Sequence, residues 1–534
     1  MHPLLRLALA TSIACLTACS SSEAAPETSL PAASGAGAPA TAPAVPLPDS
    51  PDGRPRVAIA DGTLEGLRID GGVRAFLGIP FARPPVGALR WQRPQANEPW
   101  QDARDASHFG PRCPQPPSSD PLDVASEDCL YLNVWTPAVD RPLPVMVWIH
   151  GGGNVNGSSF EPAYDGQFLA RDYGIVLVSI NYRLGVFGFF GAAGLAAESG
   201  SAGNQGLWDQ QLALHWVQKN IARFGGDASN VTIFGESAGS ADVCYHVAAP
   251  GSRGLFQRAI SESGGCTSRV ADADSAQRTA AAFAERMGCT GADALACLRS
   301  KSVRELVDGA AAAGRFPISV DGVFLPEQPR ALFDRGDIAR VPYILGSNTD
   351  EGSYWALDAV GISDDAKYLE ELGKRFTPPI EPIAELYPKS RFAEAKDPYQ
   401  AAISRAWGDG RLVCTTFDVA MRAAHAGLPV WLYNFDIAVD DVIGAAHAAE
   451  IVYVFGTGGF TPDALAVSDR MQGYWTNFSK TGDPNGGGLP AWPRLGENMN
   501  VRMNFGLQPE LVNDFRAKEC AFWRARYDEA FRAM

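Results

Sequence analysis

Four short apolar runs punctuate this 534-residue chain: Pro144 to Ile149, Val231 to Phe234, Val341 to Gly346 and Pro429 to Phe435. Each is too short for a helix and is closed by glycine or small polar residues, so each reads as a buried β-strand running into a loop. Helical periodicity lies between and around them. Ala420 to His425 is followed by a capping Gly427, Asp293 to Ala313 places Leu295, Leu298, Val303, Leu306 and Val307 on one side, and 363–376 has the same spacing. Strand and helix alternate from about residue 56 to 534 without resetting into a second pattern and without an internal repeat. This predicts one large α/β domain with helical insertions over the carboxyl edge of its sheet.

The first 55 residues differ. Met1 to Ala18 has a basic start at Arg6 and an apolar stretch, the layout of an export signal. Leu16-Thr17-Ala18-Cys19 resembles the lipobox of bacterial lipoproteins, which implies cleavage before Cys19, acylation of that residue and an exported, outer-membrane-anchored protein. An ordinary secretory signal is the alternative. Residues 19–55 are dominated by Ala, Pro, Ser, Gly and Thr, too poor in large apolar side chains to offset the entropy of ordering, and read as a disordered tether. No later segment is long and apolar enough to span a membrane.

The chemistry gathers where the predicted strands end. Val231 to Phe234 breaks into Gly235-Glu236-Ser237-Ala238-Gly239, a G-x-S-x-G turn whose glycines permit a sharp strand-to-helix corner and lift the serine hydroxyl clear of the sheet. A nucleophilic serine needs a base, and the base an orienting acid. Of seven histidines, His425 and His447 follow the serine with room for an acid between. His425 ends a helix ahead of a strand, at the wrong edge, whereas His447 lies in the loop after that strand, where open α/β sheets collect ligands. Asp350 and Glu351 both qualify as the acid by position, and local physics does not separate them. His150-Gly151-Gly152-Gly153 follows a fourth strand, and three successive glycines let backbone N–H groups converge on an oxyanion. The reaction this pattern predicts is acyl transfer to water through an acyl-serine.

These segments, with Glu127-Asp128-Cys129-Leu130-Tyr131-Leu132-Asn133-Val134-Trp135-Thr136-Pro137, Phe76 to Ala82, Asn181 to Gly185 and Asn204 to Gln210, make the chain resemble the type B carboxylesterases, the family of the cholinesterases. The resemblance implies the α/β-hydrolase fold, with a large mostly parallel sheet and helices on both faces. It implies Glu351 as the acid beside Ser237 and His447, and Gly152, Gly153 and Ala238 as the oxyanion hole. Glu236, Ser263 and Glu450 match a supporting polar network. It implies the disulfides Cys113–Cys129, Cys289–Cys297 and Cys414–Cys520. Cys244 and Cys266 are left over, and a fourth bridge between them is expected. Such cysteine usage implies an oxidising compartment.

Two departures from the family bear on substrate. Asn154 stands after the glycines where relatives usually carry an aromatic residue, altering the gorge wall and offering a polar contact to substrate. The loop between Cys113 and Cys129 has no aromatic side chain, so nothing there offers the cation–π contact that holds a choline group. The substrate expected is a small to medium uncharged carboxylic ester. A bulky lipid, aromatic or polyester-type ester is the alternative, and a non-catalytic cholinesterase-like binding role a distant one. A net charge of −15 without a basic patch argues against nucleic acid and against attraction to anionic lipid. Neither a metal nor another cofactor is implied. The only membrane contact expected is the N-terminal lipid, and the oligomeric state is not legible.

Overall fold

The structure, a computed structural model, describes residues 47–116, 125–200, 202–496 and 500–532. The signal, Cys19 and most of the tether therefore lie outside the described residues, as does part of the Cys113–Cys129 loop. At the described start, Arg54 donates from its guanidinium to the backbone oxygens of Glu65 and Gly66.

An 11-stranded sheet forms the centre. In chain order its strands are β1 (Leu67–Ile69), β2 (Val73–Pro80), β3 (Tyr131–Pro137), β4 (Leu143–Ile149), β5 (Val176–Ile180), β6 (Gly226–Glu236), β7 (Arg258–Glu262), β8 (Tyr343–Asn348), β9 (Val430–Phe435), β10 (Val501–Phe505) and β11 (Pro509–Asn513). Across the sheet the order is β11-β10-β9-β8-β7-β6-β4-β5-β3-β2-β1. Neighbours from β10 to β5 run parallel, and antiparallel strands close both ends.

The apolar runs are continuous because both faces of the sheet are covered. Val145, Val147 and Ile149 of β4 enter one core with Val231 and Ile233 of β6, while Met146, Trp148 and Phe234 enter the core on the opposite face. Val430 and Leu432 divide from Trp431, Tyr433 and Phe435 in the same way along β9. That alternation is the pleat of a strand read from inside a fully buried layer.

The predicted helix 363–376 is found as Asp365–Arg375, with the Asp364 side chain accepting from Lys367 N at its start. The helix expected over Asp293 to Ala313 is two, Ala294–Ser300 and Val303–Ala313. Ser302 and Glu305 form a reciprocal capping box that starts the second. The box satisfies backbone donors that a continuous helix would have bonded internally, and so fixes the break.

All three expected disulfides are present, with a fourth between Cys244 and Cys266. They mark a protein that matures in an oxidising, exported setting. Among the described residues no helix is long and apolar enough to cross a membrane.

Candidate functional site

β4, β6, β8 and β9 deliver four loops to one carboxyl edge of the sheet. β6 ends at Glu236, and Ser237 is the corner before the helix Ala238–Ala248. Its φ of 57° and ψ of −118° are conformations an L-residue adopts only when its surroundings enforce them. The enforcement is visible. Ser237 N donates to Glu262 O at 2.8 Å, and the carbonyl of Ser237 accepts from Ala241 N at 3.1 Å. A Cβ on Gly235 or Gly239 would strike the carbonyl of Ile149 at the end of β4. Only glycines let the corner sit this close to the neighbouring strand.

The loop after β4 folds directly against this corner. A Cβ on Gly151 would stand 3.1 Å from Cβ of Ser237. Gly152, Gly153 and Asn154 follow with φ of 101°, 65° and 57°. His150 is buried, stacked on Tyr182 with ring centroids 4.5 Å apart, and burial pulls its pKa down to about 4.

Asn154 does not face substrate. Its Nδ2 donates to Asp242 Oδ1 at 3.0 Å, and its Oδ1 accepts from the Tyr182 hydroxyl at 3.0 Å. Asp242 in turn accepts from Gln210 Nε2 at 2.6 Å, and Gln210 Oε1 lies 3.0 Å from His246 Nε2. Burial lifts the Asp242 carboxyl to about 7. Asn154 immediately follows the glycine loop and Asp242 lies on the helix that begins at Ala238, so the pair ties the glycine loop to that helix.

His447, in the loop after β9, presents its two ring nitrogens to two carboxylates. Nδ1 is 2.6 Å from Glu351 Oε2, and Nε2 is 3.1 Å from Oε1 of Glu236, the residue before Ser237. Burial works to lower the His447 pKa, but the charges of Glu236 and Glu351 outweigh it and raise the ring to about 9. Glu351 is 1% exposed, and its other oxygen accepts from Asn348 N at 2.7 Å. Its neighbour Asp350 turns away to Arg405 at 3.0 Å and to the backbone N–H of Ala445. The two adjacent carboxylates are thus separated by their partners.

Beneath the histidine lies a nest of buried acids. Ser263 Oγ donates to Glu450 Oε1 at 3.3 Å, and Asn348 Nδ2 donates to Glu450 Oε2 at 2.6 Å. Glu262, on β7, accepts from Trp475 Nε1 at 2.8 Å. Burial first, and then the company of like charges, raises the pKa of Glu236, Glu262 and Glu450. Asn348, Glu262 and Asp242 escaped the sequence reading. Asn348 left a usable signal, a carboxamide at the very end of an apolar strand.

The wall beside the histidine is aromatic. Trp355 meets the His447 ring edge-on at 5.1 Å and stacks on Trp407 at 4.0 Å. His425 lies far from this chemistry in role as well as sequence: it is exposed and bonds within its own helix to Met421 O.

Comparison with known proteins agrees with this geometry. The model of the carboxylesterase family matches residues 53–523. The chain is 36% identical to an acetylcholinesterase of Bungarus fasciatus over 528 residues, covering 88% of this chain and 86% of that protein. It is 35% identical to an acetylcholinesterase of Danio rerio over 557 residues, 88% of this chain and 87% of the relative. An acylcarnitine hydrolase of Mus musculus shares 36% over 526 residues, 89% and 91% of the two chains. A chain matched over nearly its whole described length, with a strained serine corner directly after the Glu236 that meets a buried histidine, is a carboxylic ester hydrolase and belongs to the carboxylesterase family.

Proposed function

We propose that Ser237, His447 and Glu351 act as nucleophile, base and orienting acid in hydrolysis of a small to medium carboxylic ester. The observation that carries this reading is the buried 2.6 Å contact between His447 Nδ1 and Glu351 beside the strained Ser237 corner. Ser237 Oγ attacks the ester carbonyl carbon while His447 Nε2 takes its proton. The carbonyl oxygen, now an oxyanion, is held by the N–H groups of Gly152, Gly153 and Ala238. The tetrahedral adduct collapses with loss of the alcohol, which leaves with the proton from His447. Water, deprotonated by His447, then attacks the acyl-serine and releases the acid. Glu236 meets the base at Nε2, and Ser263 and Glu450 extend the polar network around the acid.

The aromatic wall supports a second reading of the alcohol portion. The leaving group departs beside the histidine, and the exposed faces of Tyr354, Trp355, Leu357 and Val360 lie on the segment bordering it. This favours a bulky apolar or aromatic alcohol over a small one. The export reading extends, on sequence grounds, to an acyl anchor at Cys19.

The test is a fluorophosphonate probe with peptide mapping, followed by turnover of a p-nitrophenyl ester series. Label on Ser237 and ester turnover are expected. Ser237→Ala should lose the label and about 10⁵-fold or more in kcat. Undiminished turnover in that variant would overturn the nucleophile assignment.

A further inference from the structure

Arg315 adds a charge to a site read from sequence as serving an uncharged ester. It is exposed, and the Nη edge of its guanidinium lies beside Gly153 of the glycine loop. A Cβ on that glycine would stand 3.1 Å from Nη2 and 3.6 Å from both Cζ and Nη1. The slot beside a proposed oxyanion donor is therefore filled by a cation from another segment. The root of the side chain is fixed: Phe316, buried between Phe190 and Phe283, anchors the next residue, while Gly314 before it turns at φ 89°.

Other cations close to the site are already matched. Arg405 pairs with Asp350, Arg375 with Glu371 and Asp358, and Arg112 with Glu161. Arg315 makes no hydrogen bond or ion pair among the described residues. In a chain of net charge −15, an exposed, unmatched guanidinium beside the glycine loop is the group that would select an anion, because it presents a planar set of donors suited to a carboxylate.

Its place also indicates which part of the ester it meets. The alcohol leaves on the histidine side, which Trp355 and Trp407 line. The glycine loop bounds a different wall. A Cβ on Gly151 would stand 3.1 Å from that of Ser237, and Gly153 is two residues further, at most about 7 Å along an extended chain. The guanidinium thus lies on the order of 10 Å from the serine, within reach of the far end of a short acyl chain.

We propose that Arg315 is a specificity-determining residue that recognises a carboxylate at the distal end of the acyl group, so that the preferred substrates are half-esters of short dicarboxylic acids. This rests on the esterase reading above and replaces the expectation of an uncharged substrate.

The experiment compares kcat/KM for mono-p-nitrophenyl adipate with that for p-nitrophenyl heptanoate, of similar length and uncharged, in the full-length protein and in Arg315→Ala, Arg315→Lys and Arg315→Glu. The ratio of charged to uncharged ester should fall roughly 1.5- to 5-fold in Arg315→Ala, the range of an exposed charge pair. It should be largely restored in Arg315→Lys and fall furthest in Arg315→Glu. The wild-type ratio should also shrink as salt is raised. Turnover of both esters with a ratio indifferent to residue 315 would overturn this proposal and leave the esterase intact. Absence of turnover together with absence of Ser237 label would instead remove the esterase reading, and this one with it.

Discussion

Buried acids occur in two regions of this protein, and they are treated in opposite ways. In the scaffold, Asp209 lies between both arms of the Arg183 guanidinium at 2.7 and 2.8 Å, with both side chains almost wholly buried. Arg90 clasps Glu127 through two 2.6 Å bonds in the same manner. Near the serine, Glu236, Glu262, Glu351 and Glu450 have no arginine or lysine within ion-pairing distance among the described residues, and His447 lies against two of them, Glu236 and Glu351. In each scaffold pair a guanidinium balances the carboxylate directly. An acid nest answered by a single imidazole stores protons in a shared form that can be moved. The difference separates charge used to hold the fold from charge kept available for chemistry.

That comparison can be broken from the site side first. Glu351→Gln should lower kcat about 10³- to 10⁴-fold, because the carboxamide no longer orients and stabilises the imidazolium, while the melting temperature moves little. Steady-state kinetics alongside calorimetry checks both halves, and a large loss of stability with modest loss of kcat would assign Glu351 to the scaffold class. Asp209→Asn should behave in the reverse way. It leaves Arg183 buried without its countercharge, and urea unfolding should show a loss of about 3–5 kcal/mol, with kcat per active site, titrated by phosphonate, nearly preserved.

The subtlest test concerns pH. A base must be neutral to act, so raising the His447 pKa to about 9 moves the acidic limb of the rate profile upward from the ordinary histidine range. Glu236→Gln removes one of the three carboxylate charges that raise it, the largest of them. The sign is therefore downward: the limb should shift to lower pH, by about one unit, the scale of one nearby charge. A limb that does not move would mean Glu236 is already protonated where the enzyme works.

The sheet and the serine corner were legible because they depend on local pattern: an apolar strand and glycines that allow one particular turn. Asp350 and Glu351 were indistinguishable locally because their difference is made by Arg405 and His447, one 55 and the other 96 residues away. Asn154 was placed on the gorge wall by position, yet Asp242, buried without a cation, draws its carboxamide inward. The split at Ser302 was written in the sequence as Ser-x-x-Glu and was masked by apolar spacing that continues across it. Tertiary partners, rather than weak local signals, account for most of what was missed.

The bridge between Cys414 and Cys520 spans 106 residues, and the loop it closes contains β9, His447, Glu450, β10 and β11. His447 and Glu450 are thereby enclosed in a covalent ring, while Ser237 and Glu351 lie outside it. A single proteolytic nick inside the ring severs the backbone without freeing either piece. Such a clipped enzyme would migrate as one intact species until a reductant is added, and only then part into two fragments.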